Sequence, residues 1–393
     1  MKILWLTYDL PYPPNSGGKL RAYHLLRFLS RKFEVTLFSY FRKPEQLAGL
    51  SGLNFLSKVK TFRRRQVWDV RNLLRAGLSA SPLLTVSYGD SHMLGELLEE
   101  LKGGDYQLVH LEFFGVAWVL PLVKKIGKKV ILGNENVEYQ IYQKYAAQQR
   151  NPILKRLMEF DVWKLQRLEE RFWRLADANL AVSPLDVGIM EKAGARNCYL
   201  VPNGVEIDRY RKHIKRVEEI ISPRALFVGD LLYQQNDEAV RWFLTEVLPI
   251  IRESRPEFKL VVVSRSKPSW LGKLESSVDF RQDDSSEFSD FVSEADIFVS
   301  PVRIKSGTNI KLLQAMALGF PIVSTSSGVG GYNFSHQGGI LVADTSKDFA
   351  RAVVRLLGDY SLRCRLSNSV IEQVLPYDWS NSGRILAEIY EKI

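Results

Sequence analysis

The sequence predicts an α/β protein made of two doubly wound parallel-sheet domains, and three observations carry that prediction. At 393 residues the chain exceeds what a single hydrophobic core usually supports. Short β-rich apolar runs alternate with longer helical patterns from end to end, as expected of parallel strands joined by crossover helices. The alternation then restarts near residue 224, after a charged stretch over 213–223.

In the first half the strand candidates are 2–7, 34–39, 107–111, 129–132 and 179–182. In the second half they are 197–201, 225–228, 259–263, 297–300, 322–324 and 340–342. Helical patterns occupy 20–31, 91–102, 152–175, 237–251, 309–318 and 348–357. The domain joint falls within 183–223, with Pro202-Asn203-Gly204 as a turn inside it. This gives a first domain over 1–195, a second over 196–376, and a capped helix over 377–393 expected to pack back onto the first. No period of 20–50 residues repeats, which excludes solenoids and propellers.

Hydrophobic content of 46% and charged content of 25% are those of a globular protein, not a disordered or fibrous one. The two cysteines, Cys198 and Cys364, lie far apart and suit a reducing compartment rather than a disulfide framework. The apolar run 3–6 is too short for a signal peptide, and no stretch reaches the ~20 apolar residues of a membrane span. A cytoplasmic chain is expected. Its net charge of +10 admits nucleic acid, anionic lipid or phosphorylated substrates as partners. Part of the excess is local: Lys58, Lys60, Arg63, Arg64, Arg65, Arg71 and Arg75 surround Val67, Trp68, Val70, Leu73 and Leu74. Such a basic amphipathic stretch suits peripheral attachment to an anionic membrane, against the plainer reading of a solvated helix face. Nucleic acid is excluded as a partner, because no recognised module accompanies the charge.

Three segments carry chemistry. Pro13-Pro14-Asn15-Ser16-Gly17-Gly18-Lys19 joins the first strand to a helix. Its paired glycines allow close backbone approach, and the helix start behind them offers amides to an anion. The plain alternative is a tight turn. The second segment, Ser300-Pro301-Val302-Arg303-Ile304-Lys305-Ser306-Gly307-Thr308-Asn309-Ile310-Lys311, follows a strand and opens a helix. Amides of Gly307, Thr308 and Asn309 with the charges of Arg303 and Lys311 suit a diphosphate at the carboxyl end of that strand. Gln314 follows Lys311 by about one turn on the same face and suits a ribose. Gly328-Val329-Gly330-Gly331 forms a further flexible loop. In the third segment, Glu112 and Glu135 end neighbouring strands, where shifted pKa values would suit acid or base work. Glu138 reads as a helix cap and His110 as a satisfied core histidine.

The pattern resembles the retaining glycosyltransferases of family 4, which have the GT-B fold, and within them bacterial and archaeal members with Gly-Thr-Asn/Arg-x-Lys at the helix start. The resemblance spans nearly the whole chain through 13–18, 135–139, Ala181-Val182-Ser183, Pro202-Asn203-Gly204-Val205, Phe227-Val228-Gly229, Asn236 and 306–311. Its most specific part is Ala315-Met316-Ala317-Leu318-Gly319-Phe320-Pro321-Ile322-Val323-Ser324-Thr325. It implies two Rossmann-like domains facing a cleft, a UDP- or GDP-linked sugar on the second domain, and a glycan or lipid-linked acceptor on the first. Gly17 and Gly18 would lie close to the donor phosphates. It further implies retention of anomeric configuration, no metal and no other cofactor. On it, Gly307 to Lys311 with Ser306 meet the diphosphate and Gln314 the ribose; Lys311 and, from their strand-end positions, Glu112 and Glu135 are the catalytic candidates. Three positions depart from the family. Ser306 and Gln314 stand where it often has two glutamates, 230–236 lacks its Arg–Lys pair, and Glu135 replaces a histidine. The alternatives are a catalytically degenerate nucleotide-sugar binder and a UDP-sugar epimerase of the same fold.

Overall fold

A computed structural model describes all residues except 65, 219–222, 273–277, 284–287, 305–306, 333 and 335–337. The chain divides into two compact units, Met1–Pro202 with Ser380–Ile393, and Asn203–Trp379.

The first unit is built on a seven-stranded, all-parallel sheet of β1 (Lys2–Thr7), β2 (Glu34–Phe41), β3 (Lys58–Arg63), β4 (Leu108–Glu112), β5 (Lys129–Asn134), β6 (Ala178–Ala181) and β7 (Cys198–Leu200). Their spatial order is β3-β2-β1-β4-β5-β6-β7, which reverses direction between β1 and β4. The alternating pleat explains why β1 is apolar from Ile3 to Leu6. Leu4 and Leu6 enter one core layer, while Ile3 and Trp5 enter the layer on the opposite face. Helix Trp379–Lys392 belongs to this unit from Ser380 onward and adds Leu386, Ile389 and Tyr390 to the second layer.

The second unit repeats the plan with six parallel strands: β8 (Arg224–Val228), β9 (Lys259–Ser264), β10 (Val278–Gln282), β11 (Ile297–Ser300), β12 (Ile322–Ser324) and β13 (Ile340–Val342). The order β10-β9-β8-β11-β12-β13 reverses between β8 and β11. Both sheets therefore have the doubly wound Rossmann arrangement, with a switch point at the carboxyl ends of their central strands.

The structure departs from the expected elements in four places. β7 pairs with β6 through Asn179 and Cys198, so the strand expected to open the second domain is the edge of the first sheet, and the first unit runs to Pro202. β3 and β10 are strands the apolar pattern missed, because both are edge strands of mixed polar and apolar sequence. The helix expected over 237–251 is broken into Gln234–Trp242, a widened turn at Phe243–Val247, and Leu248–Ser254. Pro249, which has no amide to donate, stands just beyond the widened turn. Cys198 and Cys364 are both free. Among the described residues no helix is long and apolar enough to cross a membrane.

Candidate functional site

In the second unit, the carboxyl end of β11 leads through 301–309 into helix Ile310–Ala317. Gly307 adopts φ +56, a left-handed conformation that a side chain would strain. Thr308 Oγ1 accepts a 2.7 Å hydrogen bond from Asn203 Nδ2, so Asn203 braces the loop. Asn309 caps the helix: its side-chain oxygen accepts from the Leu312 amide, and its Nδ2 donates to Ser300 Oγ at 3.1 Å.

The Lys311 ammonium lies 5.7 Å from the centre of the Phe288 ring. Burial pushes its pKa down to about 8, with Arg265 adding to the shift and Asp283 opposing it. Gln314 is buried on the same helix, and its Nε2 donates to Tyr210 Oη at 2.7 Å. Its Oε1 is also buried and has no partner among the described residues. A buried acceptor left open in this way is costly unless a ligand donor fills it. Arg303, by contrast, is exposed, ion-paired with Glu238 and 4.8 Å from the centre of the Trp242 ring. The expected convergence of Arg303 with Lys311 is thus replaced by a local Arg303–Glu238 pair. Ser306 and Lys305 lie outside the described residues.

In the first unit, helix Gly17–Leu29 opens at Gly17. A Cβ on Gly18 would meet Tyr8 Oη at 2.1 Å and both Glu135 carboxyl oxygens at 2.6 Å, so this position requires glycine for close approach. The Glu135 carboxyl therefore lies at the start of this helix, the place expected to receive an anion. Its Oε1 is buried without a partner. Burial, reinforced by the Glu112 charge, lifts its pKa to about 8.

Glu112 corrects the expectation of two carboxylates opening onto one site. It is fully buried, accepts from Arg21 Nε at 2.7 Å and lies 2.6 Å from His110 Nε2. Arg21 leads the interactions that hold it ionised, at about 2 against the opposing cost of burial. His110 stacks on Trp5 at 3.8 Å and meets Tyr390 Oη at 2.6 Å through Nδ1. Burial keeps the imidazole neutral and the Tyr390 phenol protonated. The tautomer follows: Nε2–H donates to Glu112, and Nδ1 accepts from Tyr390. Glu138 begins helix Glu138–Gln148 but does not cap it; Glu169 does, accepting from the Glu138 and Tyr139 amides at 2.9 and 3.0 Å.

The stretch expected to lie as one basic amphipathic segment is split. Lys58 and Lys60 belong to β3 and pair with Glu100 and Glu96, whereas only Val70–Leu78 is helical. Arg65 is outside the described residues. Among the described residues no group of three His, Cys, Asp or Glu side chains is placed to hold a metal ion.

The comparisons with known proteins follow this division. The model of Glycosyltransferase Family 4 matches residues 16–209, and that of Glycosyl transferases group 1 matches 222–359. An uncharacterised 44.6 kDa protein in the cps region of Klebsiella pneumoniae is 23% identical over 90% of both chains. A phosphatidyl-myo-inositol mannosyltransferase of Propionibacterium freudenreichii is 25% identical over 54% of this chain and 56% of its own. HepE of Anabaena, solved in complex with UDP, superposes with a TM-score of 0.70 at 13% identity over all of both chains. The fold and the tandem family matches define this protein as a glycosyltransferase of the GT-B fold. Its two halves carry the two domain types in that order.

Proposed function

We propose that the second unit holds a UDP- or GDP-linked sugar, and that the first binds a glycan or lipid-linked acceptor that receives the sugar with retention of anomeric configuration. The observation that carries the donor assignment is the buried, unpartnered Gln314 Oε1, about one turn beyond Lys311 on a helix that opens at a glycine-bearing loop. A ribose hydroxyl satisfies Gln314, and the diphosphate meets the Gly307, Thr308 and Asn309 amides and the Lys311 ammonium. Ser306 joins this loop on sequence grounds alone. Arg303 contributes by exchanging Glu238 for a phosphate oxygen.

In the transfer, the acceptor oxygen bonds to the anomeric carbon as the bond from that carbon to the diphosphate breaks. The negative charge developing on the nucleoside diphosphate is met by Lys311, Arg303 and the helix amides, so this reading needs no metal. The acceptor proton passes to Glu135, whose raised pKa suits that task once it is ionised. Glu112 has no such part, being enclosed and committed to Arg21 and His110. The UDP in the Anabaena structure supports the donor class, and the lipid in the Propionibacterium enzyme's name supports the acceptor class. With such an acceptor the chain works at the cytoplasmic face of the membrane, as a peripheral protein.

Melting temperature with UDP-, GDP-, ADP- and TDP-sugars, each with and without EDTA, tests the reading. One nucleotide family raises the Tm equally in both conditions, by an amount that grows with the logarithm of its affinity. Lys311→Ala weakens that ligand by about tenfold or more. Unchanged donor affinity in this variant overturns the phosphate assignment, and a donor-induced shift without sugar transfer or release favours the degenerate binder.

A further inference from the structure

In the first unit, helix Pro152–Leu175 leaves Ile153, Leu154, Leu157, Phe160 and Trp163 exposed, at 44–73%. Their spacing keeps them on one broad face. Phe160 and Trp163 stack at 5.6 Å, with the Lys164 ammonium 5.4 Å from the Phe160 ring centre and the Arg167 guanidinium 4.2 Å from that of Trp163. Lys164 also donates to the Ala76 carbonyl at 2.8 Å, which fixes this helix against Val70–Leu78. The second helix and its approach expose Trp68, Val70, Leu73, Leu74 and, at 91%, Leu78. Beside them an open recess of about 530 Å³ is lined by Leu74, Leu78, Val86 and Gly89, with Arg75, Ser79 and Ser81 in its wall.

Single exposed apolar side chains are ordinary, but a ridge shared by two adjoining helices is not. Its surroundings are cationic: Arg71, Arg75, Arg150, Arg156 and Arg167 are exposed. Of the nearby acids, Asp69 caps one helix, Asp161 accepts from the Leu83 amide and pairs with Lys164, and Glu170 accepts from Gln166, leaving Glu159 exposed. A second copy seated on this face would set the same arginines against one another.

We propose that these two helices form a docking surface for an anionic lipid bilayer. The apolar ridge enters the boundary between headgroups and acyl chains, the arginines meet lipid phosphates, and the recess takes one lipid tail. The proposal deepens the reading of a lipid-linked acceptor and rests on it for its purpose, though its geometry stands apart from the donor site.

Co-sedimentation of the full chain with phosphatidylglycerol/phosphatidylcholine vesicles, and with phosphatidylcholine alone, tests it. Binding is expected to need the anionic lipid and to fall at least tenfold between low and high salt. Leu157→Glu with Phe160→Glu, and separately Leu74→Glu with Leu78→Glu, each lower it at least tenfold, whereas Val342→Glu, an exposed apolar position in the second unit, leaves it unchanged. The donor-induced rise in Tm persists in all three variants, which certifies folding and separates failure of docking from failure of the transferase reading. Equal binding to both vesicle types, wild-type binding by both paired variants, or a concentration-dependent dimer that these substitutions dissolve overturns the proposal.

Discussion

Glu112 and Glu135 follow neighbouring strands, yet Arg21 and His110 hold the first at about 2, while burial lifts the second to about 8. The contrast sets the sign of a stability effect. An unfolded glutamate releases its proton near ~4.3, so between about 4.3 and 8 the folded chain binds the extra proton, and stability falls as pH rises through that window. Glu135→Gln removes the loss. Full coupling is worth ~1.4 kcal/mol per pH unit, and the partial exposure of this residue reduces it to on the order of 2 kcal/mol by pH 8. The variant is expected to match wild type at pH 4 and to melt at a higher temperature at pH 8. Equal Tm values across that range would show that Glu135 ionises normally. The strand end and the helix that flank 301–309 were legible from the apolar run and the helical period alone. Their partners were not: Gln314 and Tyr210 are 104 residues apart, Arg21 and Glu112 91, and His110 and Tyr390 280. No local pattern carries such pairings.

At the scale of elements, strands buried on both faces were readable because their apolar runs are continuous, as in β1 and β8. β3 was not, because Lys58-Val59-Lys60-Thr61-Phe62-Arg63 alternates charge with apolar character and reads equally as part of a basic stretch. The same ambiguity concealed the helix–helix arrangement around Lys164, since a single lysine donating to a carbonyl 88 residues away leaves no trace in sequence. The C-terminal helix illustrates what such long-range bonds do. Its Tyr390 closes a buried chain that runs from Arg21 through Glu112 and His110, and so ties helix Trp379–Lys392 to β4 and to helix Gly17–Leu29. Tyr390→Phe strands His110 Nδ1 in a dry site, at a cost of about 1–3 kcal/mol. Thermal or urea unfolding is expected to register that loss, and unchanged stability would mean that the helix is held by its apolar contacts alone.

Over the whole molecule the charge is divided unevenly. The first unit carries 32 lysines and arginines against 21 aspartates and glutamates, and the second 22 against 23, so the net +10 belongs to the first unit. On the proposed assignment, a unit close to neutral takes an anionic donor. Its affinity must then come from local geometry at 307–314 rather than from a general field, and it should respond weakly to salt. The first unit has the opposite design: a broad cationic excess acts at range and is screened by salt, while the two apolar helices act only on contact. Two ligands should therefore leave two footprints in hydrogen exchange of the full chain. UDP is expected to slow exchange along helix Ile310–Ala317 and around Tyr210, with little change between 50 and 300 mM salt as rough working limits. Anionic vesicles are expected to slow it in Val70–Leu78 and the first turns of Pro152–Leu175, and to lose that effect at the higher salt. If UDP leaves 307–317 unprotected, the donor is held elsewhere and the neutral charge of the second unit has no bearing on it. If vesicles instead protect the second unit, the distribution of charge does not decide which part of the molecule meets the lipid.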